Sequence, residues 1–161
     1  MTIRAIHPSV MSAEEIEDYI AFVIAGGEIN AATMPALVAQ AMSLITIHQH
    51  DELIRTAATK VPFAGHQNNE FKKAEFANLA PHYSYELGWV VVDGAFRRKG
   101  HARASVCHGV DQLGGRAIYV TTKSDAMRTI LPDFGLVLFG KECPSRLDPV
   151  VSLSLFGRSV P

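Results

Sequence analysis

The stretch Arg97-Arg98-Lys99-Gly100-His101-Ala102 decides how the rest of this chain is read. It follows an apolar run of strand character, Trp89-Val90-Val91-Val92, and opens a segment of helical character. A strand that ends in a short basic turn with a glycine, and then feeds a helix, builds an anion site. The first N–H groups of a helix have no acceptor within it, and the helix dipole adds partial positive charge there. Gly100 lets phosphates approach the backbone, and Arg97, Arg98, Lys99 and Arg103 add mobile positive charge.

Apolar periodicity extends the reading in both directions. Residues 83–92 form a central strand, 103–113 a helix stopped by Gly114-Gly115, and 117–122 the next strand. Ser124 is the N-cap of a helix through Ile130, which Pro132 prevents from continuing. Residues 136–139 and 150–155 are the last strands. Towards the start, residues 3–6 are a short strand stopped by Pro8. Ser12-Ala13-Glu14-Glu15 fits a capping box, and Ile16, Tyr19, Ile20 and Val23 recur at helical spacing before Gly26-Gly27. A second helix is predicted over 33–42, with Pro35 in its first turn. Strands over 43–48 and 53–59 flank a turn at His50-Asp51-Glu52. Pro62 and Gly65 break the pattern, and 68–78 reads as a short helix. This order predicts an α/β (α+β) fold, a mixed sheet with helices on both faces, in a single domain over 1–161.

Composition narrows the function classes. The 161 residues are 48% apolar and 19% charged, as in a soluble globular protein. A formal charge of −1 gives no global attraction to nucleic acid. Two cysteines, Cys107 and Cys143, make no disulfide framework and fit reduced thiols in a cytoplasm. Glu14, Glu15, Glu17 and Asp18 come too early for a signal core, and no apolar run is long enough to span a bilayer. No membrane partner is expected.

At residues 97–102 the chain resembles the GNAT superfamily of acyl-CoA-dependent N-acyltransferases. That signature is Arg or Gln, two variable residues, Gly, one variable residue, then Gly or Ala; Arg97, Gly100 and Ala102 fill the defined positions. Phe134-Gly135-Leu136 resembles the Gly-Phe step that opens the family's next-to-last strand. The resemblance is strongest over 86–140 and topological before that. It implies a mixed, mostly antiparallel central sheet flanked by helices, with splayed central strands. It implies acetyl-CoA as co-substrate, bound at Arg97, Arg98, Lys99, Gly100, His101, Ala102 and Arg103, with its pyrophosphate on the backbone amides of Arg98, Lys99, Gly100, Ala102 and Arg103. Backbone groups of Val90 and Val92 would hold the pantetheine arm like an added strand. The N–H near Val90 would polarise the thioester carbonyl. Gly88 is expected to mark the bulge that the family has in this strand.

Amine acylation requires that the amine lose a proton and the carbonyl be polarised; the departing thiolate can also take a proton. Glu86 is the candidate base. It lies eleven positions before Arg97, as in histone-acetylating members, and Tyr83 and Tyr85 are expected to reduce its hydration and raise its pKa. Many members use an ordered water chain instead. Strand alternation puts Glu86, Gly88 and Val90 on one face unless the bulge shifts phase. The general acid departs from the family pattern: Leu131 stands where many members have Tyr, and Ser124 where Asn is common. Thr121 and Thr122 are the substitutes.

Other groups point elsewhere. His48 and His50 have no third ligand with fitting spacing, so they read as a polar hairpin and no metal is expected. His101 and His108 lie two turns apart on the helix. Cys107 beside His108 reads as core rather than nucleophile, and Trp89 as a packed strand aromatic. Residues 65–83 are expected to form a flap or short helix over the acceptor mouth. The acceptor amine stays open among a small metabolite, a peptide or protein, an aminoacyl-tRNA and a modified base. A non-catalytic acyl-CoA sensor, a solvated basic turn and a nucleic-acid patch are the alternatives. The last strand, 150–155, is apolar and could pair with or cover another edge, so a homodimer is left open beside a monomer.

Overall fold

The computed structural model describes residues 1–27, 29–97, 99–144 and 152–159. Two units emerge, Met1–Val61 with Leu87–Gln112, and Pro62–Glu86 with Leu113–Pro161. The first begins with β1 (Thr2–Ile6) and α1 (Ala13–Ala25). The capping box forms as expected: Ser12 Oγ accepts from the Glu15 amide at 3.1 Å, and Glu15 Oε2 accepts from the Ser12 amide at 2.8 Å. Such a cap is worth about 1 kcal/mol. The apolar stripe of α1, Tyr19 and Val23, joins Met34 and Val38 of α2 (Met34–Ala39). Leu44 of β2 (Ala41–Gln49), Ala58 of β3 (Glu52–Lys60) and Trp89 of β4 (Tyr85–Val92) complete that core. The buried Tyr19 hydroxyl donates to the Ala57 carbonyl at 2.7 Å.

The predicted helix over 33–42 stops at Ala39, because Ala41 is already drawn into pairing with Lys60 of β3. The β2–β3 hairpin turns on His50 and Asp51, with φ of 49° and 63°, the left-handed pair of a type I′ turn. Helix α4 (His101–Gln112) starts two residues earlier than the periodicity indicated. It packs closely on β4: a Cβ added at Gly109 would fall 2.4 Å from Leu87 Cδ1.

In the second unit, α3 (Ala64–Lys73) begins four residues before the expected 68 and ends before 78. Gly65 falls in its first turn, where a glycine does not break a helix. A 3₁₀ turn, Ala77–His82, follows, and then β5 (Ile118–Thr122), α5 (Asp125–Ile130), β6 (Val137–Pro144) and β7 (Ser152–Arg158) complete the unit. Phe71, Tyr83, Tyr119, Leu155 and Phe139 build its core, with the Phe71 ring edge-on to Tyr119 at 5.2 Å.

The strand order is β1-β2-β3-β4-β5-β7-β6. The pairs β1–β2, β2–β3, β5–β7 and β6–β7 are antiparallel. Strands β4 and β5 run parallel, in register at Tyr85↔Ile118 and Glu86↔Tyr119. This is the mixed, mostly antiparallel sheet that was expected. The last strand is not an edge: β7 sits between β5 and β6, so its backbone is paired on both sides and offers no edge to a second copy. Val150 and Val151 of the predicted strand lie outside the described residues. The terminal strand on that side is β6, which exposes Val137 and Leu138.

Filling the contact between α4 and β4 tests this packing. Gly109→Val is expected to lower stability by about 1–3 kcal/mol, read as a fall in Tm. An unchanged Tm would contradict the close approach.

Candidate functional site

Strand β4 is broken at Trp89, whose φ is 53°. A non-glycine residue held there costs about 1–3 kcal/mol and persists only where its surroundings impose it. Here they do. The Trp89 ring meets Tyr19 edge-on at 6.4 Å, Lys60 Nζ lies 4.7 Å from its centroid, and its carbonyl accepts from Thr56 Oγ1 at 3.1 Å. Leu87 faces α4, whereas Trp89 packs on Tyr19 of α1 and Val91 against Gly26 just beyond that helix. Residues two apart share a face in a regular strand, so the phase reverses between Leu87 and Trp89. The break expected at Gly88 falls one residue later, and Glu86, Gly88 and Val90 do not follow one simple alternation.

Beyond Val92 the chain is pinned before it reaches the basic turn. The Asp93 amide donates to the Ile54 carbonyl at 3.0 Å, and Asp93 Oδ1 accepts from the Ala95 amide at 2.8 Å. Arg97 Nε donates to the Val92 carbonyl at 3.4 Å. Phe96 lies under Lys99 Nζ, 5.3 Å from its ring centroid, and beside the His101 ring. Arg98 lies outside the described residues. Gly100 has φ 75°, which only glycine adopts without strain, and its carbonyl accepts the Ala104 amide at 3.2 Å. The amides of His101 and Ala102 therefore fall in the first helical turn, where no helical acceptor exists.

A residue that the sequence reading missed lies beneath this turn. Arg55 of β3 is fully buried, and its Nη1 donates to the His101 carbonyl at 2.5 Å. A lone charge between Leu53 and Thr59 in an otherwise uncharged strand was the available signal. The His101 imidazole is pushed below its ordinary 6.5, first by burial, then by the positive charges of Arg55 and Lys99.

Glu86 belongs to the other unit and is buried at 5% exposure. Tyr119 of β5 donates its hydroxyl to Glu86 Oε2 at 3.2 Å, and His66 Nε2 lies 4.0 Å from the same oxygen. The Tyr119 phenol is pushed far up, by burial first and then by the Glu86 charge, so it stays a protonated donor. The expected tyrosine neighbours lie elsewhere. Tyr85 follows alternation away from Glu86 and takes Arg116 Nη1 on its hydroxyl at 3.1 Å, while Tyr83 packs on Phe71 and Phe139. Glu70 of α3 is also buried and pairs with Lys73 Nζ at 2.9 Å.

No protein-family model matches the chain, and no curated protein matches it by sequence. Solved structures match it over nearly the whole of this chain and most of their own. An acyl-CoA N-acyltransferase from Pseudomonas aeruginosa covers 98% of this chain and 99% of its own at TM-score 0.70 and 9% identity. The ribosomal-protein-S18-alanine N-acetyltransferase from Escherichia coli covers 99% and 94% at 0.66 and 11% identity. YncA from Salmonella typhimurium, a structure with its cofactor acetyl-CoA, covers 100% and 94% at 0.64 and 15% identity. The fold is that of the GNAT acyltransferases.

Within the GNAT fold, Leu131 stands at the position expected to supply an acid and has no proton to donate. Leu131 is fully buried in the 3₁₀ turn Leu131–Phe134. Thr122 Oγ1 accepts from the Ser124 amide at 3.1 Å in the turn before α5, and Ser124 Oγ caps that helix by accepting from the Met127 amide at 3.4 Å. Cys107 Sγ donates to Asp111 Oδ2 at 3.4 Å, and that bond pushes the thiol pKa up, as a nucleophile would not want. Among the described residues, no helix of this GNAT-fold chain is long and apolar enough to cross a membrane.

The electrostatics of the turn make a solution prediction. A histidine NMR titration is expected to place the His101 midpoint below 6.5, and Arg55→Met to move it upward by removing one cation. A midpoint at or above 6.5 would contradict the field described here.

Proposed function

We propose that this protein transfers an acyl group from acyl-coenzyme A to an amine. The observation that carries the reading is the basic glycine turn at the head of α4, in a chain that follows a GNAT fold from end to end. The turn suits a polyphosphate. Two first-turn amides lie above a buried guanidinium that has no carboxylate partner among the described residues. Arg97, Arg98, Lys99, Gly100, His101, Ala102 and Arg103 would hold the pyrophosphate, and the backbone of Val90 and Val92 the pantetheine arm. Acetyl-CoA, when bound, supplies the thioester acyl group and a thiol leaving group.

Glu86 is assigned the base. Its carboxylate takes the proton from the amine nitrogen, which must be neutral to attack. Tyr119 fixes the carboxylate through its hydroxyl, and His66, with a side chain 47% exposed, stands between that carboxylate and water. Fold does not choose the amine, so the acceptor is sought with a panel of small, peptide and RNA-linked amines. The fully buried Leu131 favours a second reading, a sensor that binds acyl-CoA without turnover.

Release of coenzyme A from acetyl-CoA across that panel separates the two. Turnover with one amine class is expected, and Glu86→Gln is expected to lower kcat by about 10²–10⁴-fold with the KM for acetyl-CoA unchanged. Tight acetyl-CoA binding without release on any amine, indifferent to Glu86→Gln, would favour the sensor.

A further inference from the structure

Arg55 sits in the middle of β3, paired opposite Ile47, with its side chain withdrawn from water. A buried guanidinium is costly unless it is paired. Nη1 donates to the His101 carbonyl, Nη2 lies 3.6 Å from the Met1 sulfur, and Nε has no hydrogen-bond partner. No carboxylate among the described residues answers the charge. Burial pushes the guanidinium pKa down from its ordinary value, yet arginine keeps its proton at neutral pH.

We infer that Arg55 is a positioning residue for the phosphate-binding turn: it anchors the first turn of α4 from beneath, and an anion on that turn supplies its missing countercharge. The His101 carbonyl and the Ala102 N–H belong to one peptide group. A cation on the oxygen draws electron density along that group and makes the N–H a stronger donor. Ser105 Oγ donates to the same oxygen at 3.4 Å, which adds to the pull. Ala102 is one of the amides assigned to phosphate above, so the inference rests on that reading. Arg55 touches no ligand itself. It acts through His101 and through its field, and its effect is specific to the charged part of the ligand.

Calorimetric titration of the full chain with coenzyme A and with inorganic pyrophosphate, and an NMR titration with phosphate-free pantetheine, tests this. Arg55→Met is expected to raise the Kd for coenzyme A and for pyrophosphate by at least about tenfold and leave pantetheine unchanged. Arg55→Lys, which keeps the charge and loses the fork, is expected to recover part of the loss and serves alone if the Met variant does not fold. Unchanged binding of coenzyme A by the variants would overturn the inference. So would an equal loss toward pantetheine, the mark of a purely structural role. Wild-type protein that binds pyrophosphate, with the affinity lost in Arg55→Met, but does not bind coenzyme A would overturn the acyl-CoA reading and leave the role of Arg55 in place. Binding of neither would overturn both.

Discussion

A strand cannot exchange its two faces without one residue leaving the extended region, and in β4 that residue is Trp89. Its left-handed backbone is imposed by the Tyr19 edge, the Lys60 ammonium and the Thr56 hydroxyl, which together offset about 1–3 kcal/mol of strain. The reversal lets Leu87 seat α4 while Val91 packs beside α1. The strand then ends at Val92 with its direction set, and the tie from Asp93 to Ile54 delivers the basic turn to the head of α4 above Arg55.

The two groups of residues that carry the proposed chemistry are built on opposite principles. The turn gathers positive charge and holds amides in a helix N-terminus, with a buried cation beneath that no acid among the described residues neutralises. Around Glu86, negative charge is held inside a core. The carboxylate takes the Tyr119 hydroxyl, Glu70 takes Lys73, and aromatic rings fill the remaining volume. Glu86, so held by Tyr119, is the group proposed as base. A cationic turn at the surface suits a dianion. Leu131 adds nothing to either, because its side chain is wholly given to packing.

The sequence made local structure legible wherever neighbours along the chain cause it. Ser12 and Glu15 announced the start of α1, and His50-Asp51 announced the hairpin, because caps and turns are built from adjacent residues. Gly100 announced the turn before α4 for the same reason. Errors arose where tertiary pairing overrides propensity. Ala41 suits a helix but is recruited by β3, and Gly65 looks like a breaker but lies in a first turn. The broken residue of β4 is a tryptophan rather than the glycine before it, since packing and not backbone freedom decides the position. Arg55 was signalled only as a lone charge between Leu53 and Thr59, and Tyr119 by nothing local. Their partners, His101 and Glu86, lie 46 and 33 residues away, and no local pattern encodes such a meeting.

The most direct test of the account is a crystal structure determined with acetyl-CoA. The account predicts pyrophosphate oxygens on the amides of Gly100 and Ala102, with the pantetheine arm along the backbone of Val90 and Val92. Acetyl-CoA bound away from the head of α4, or no bound acetyl-CoA at saturating concentration, would contradict it.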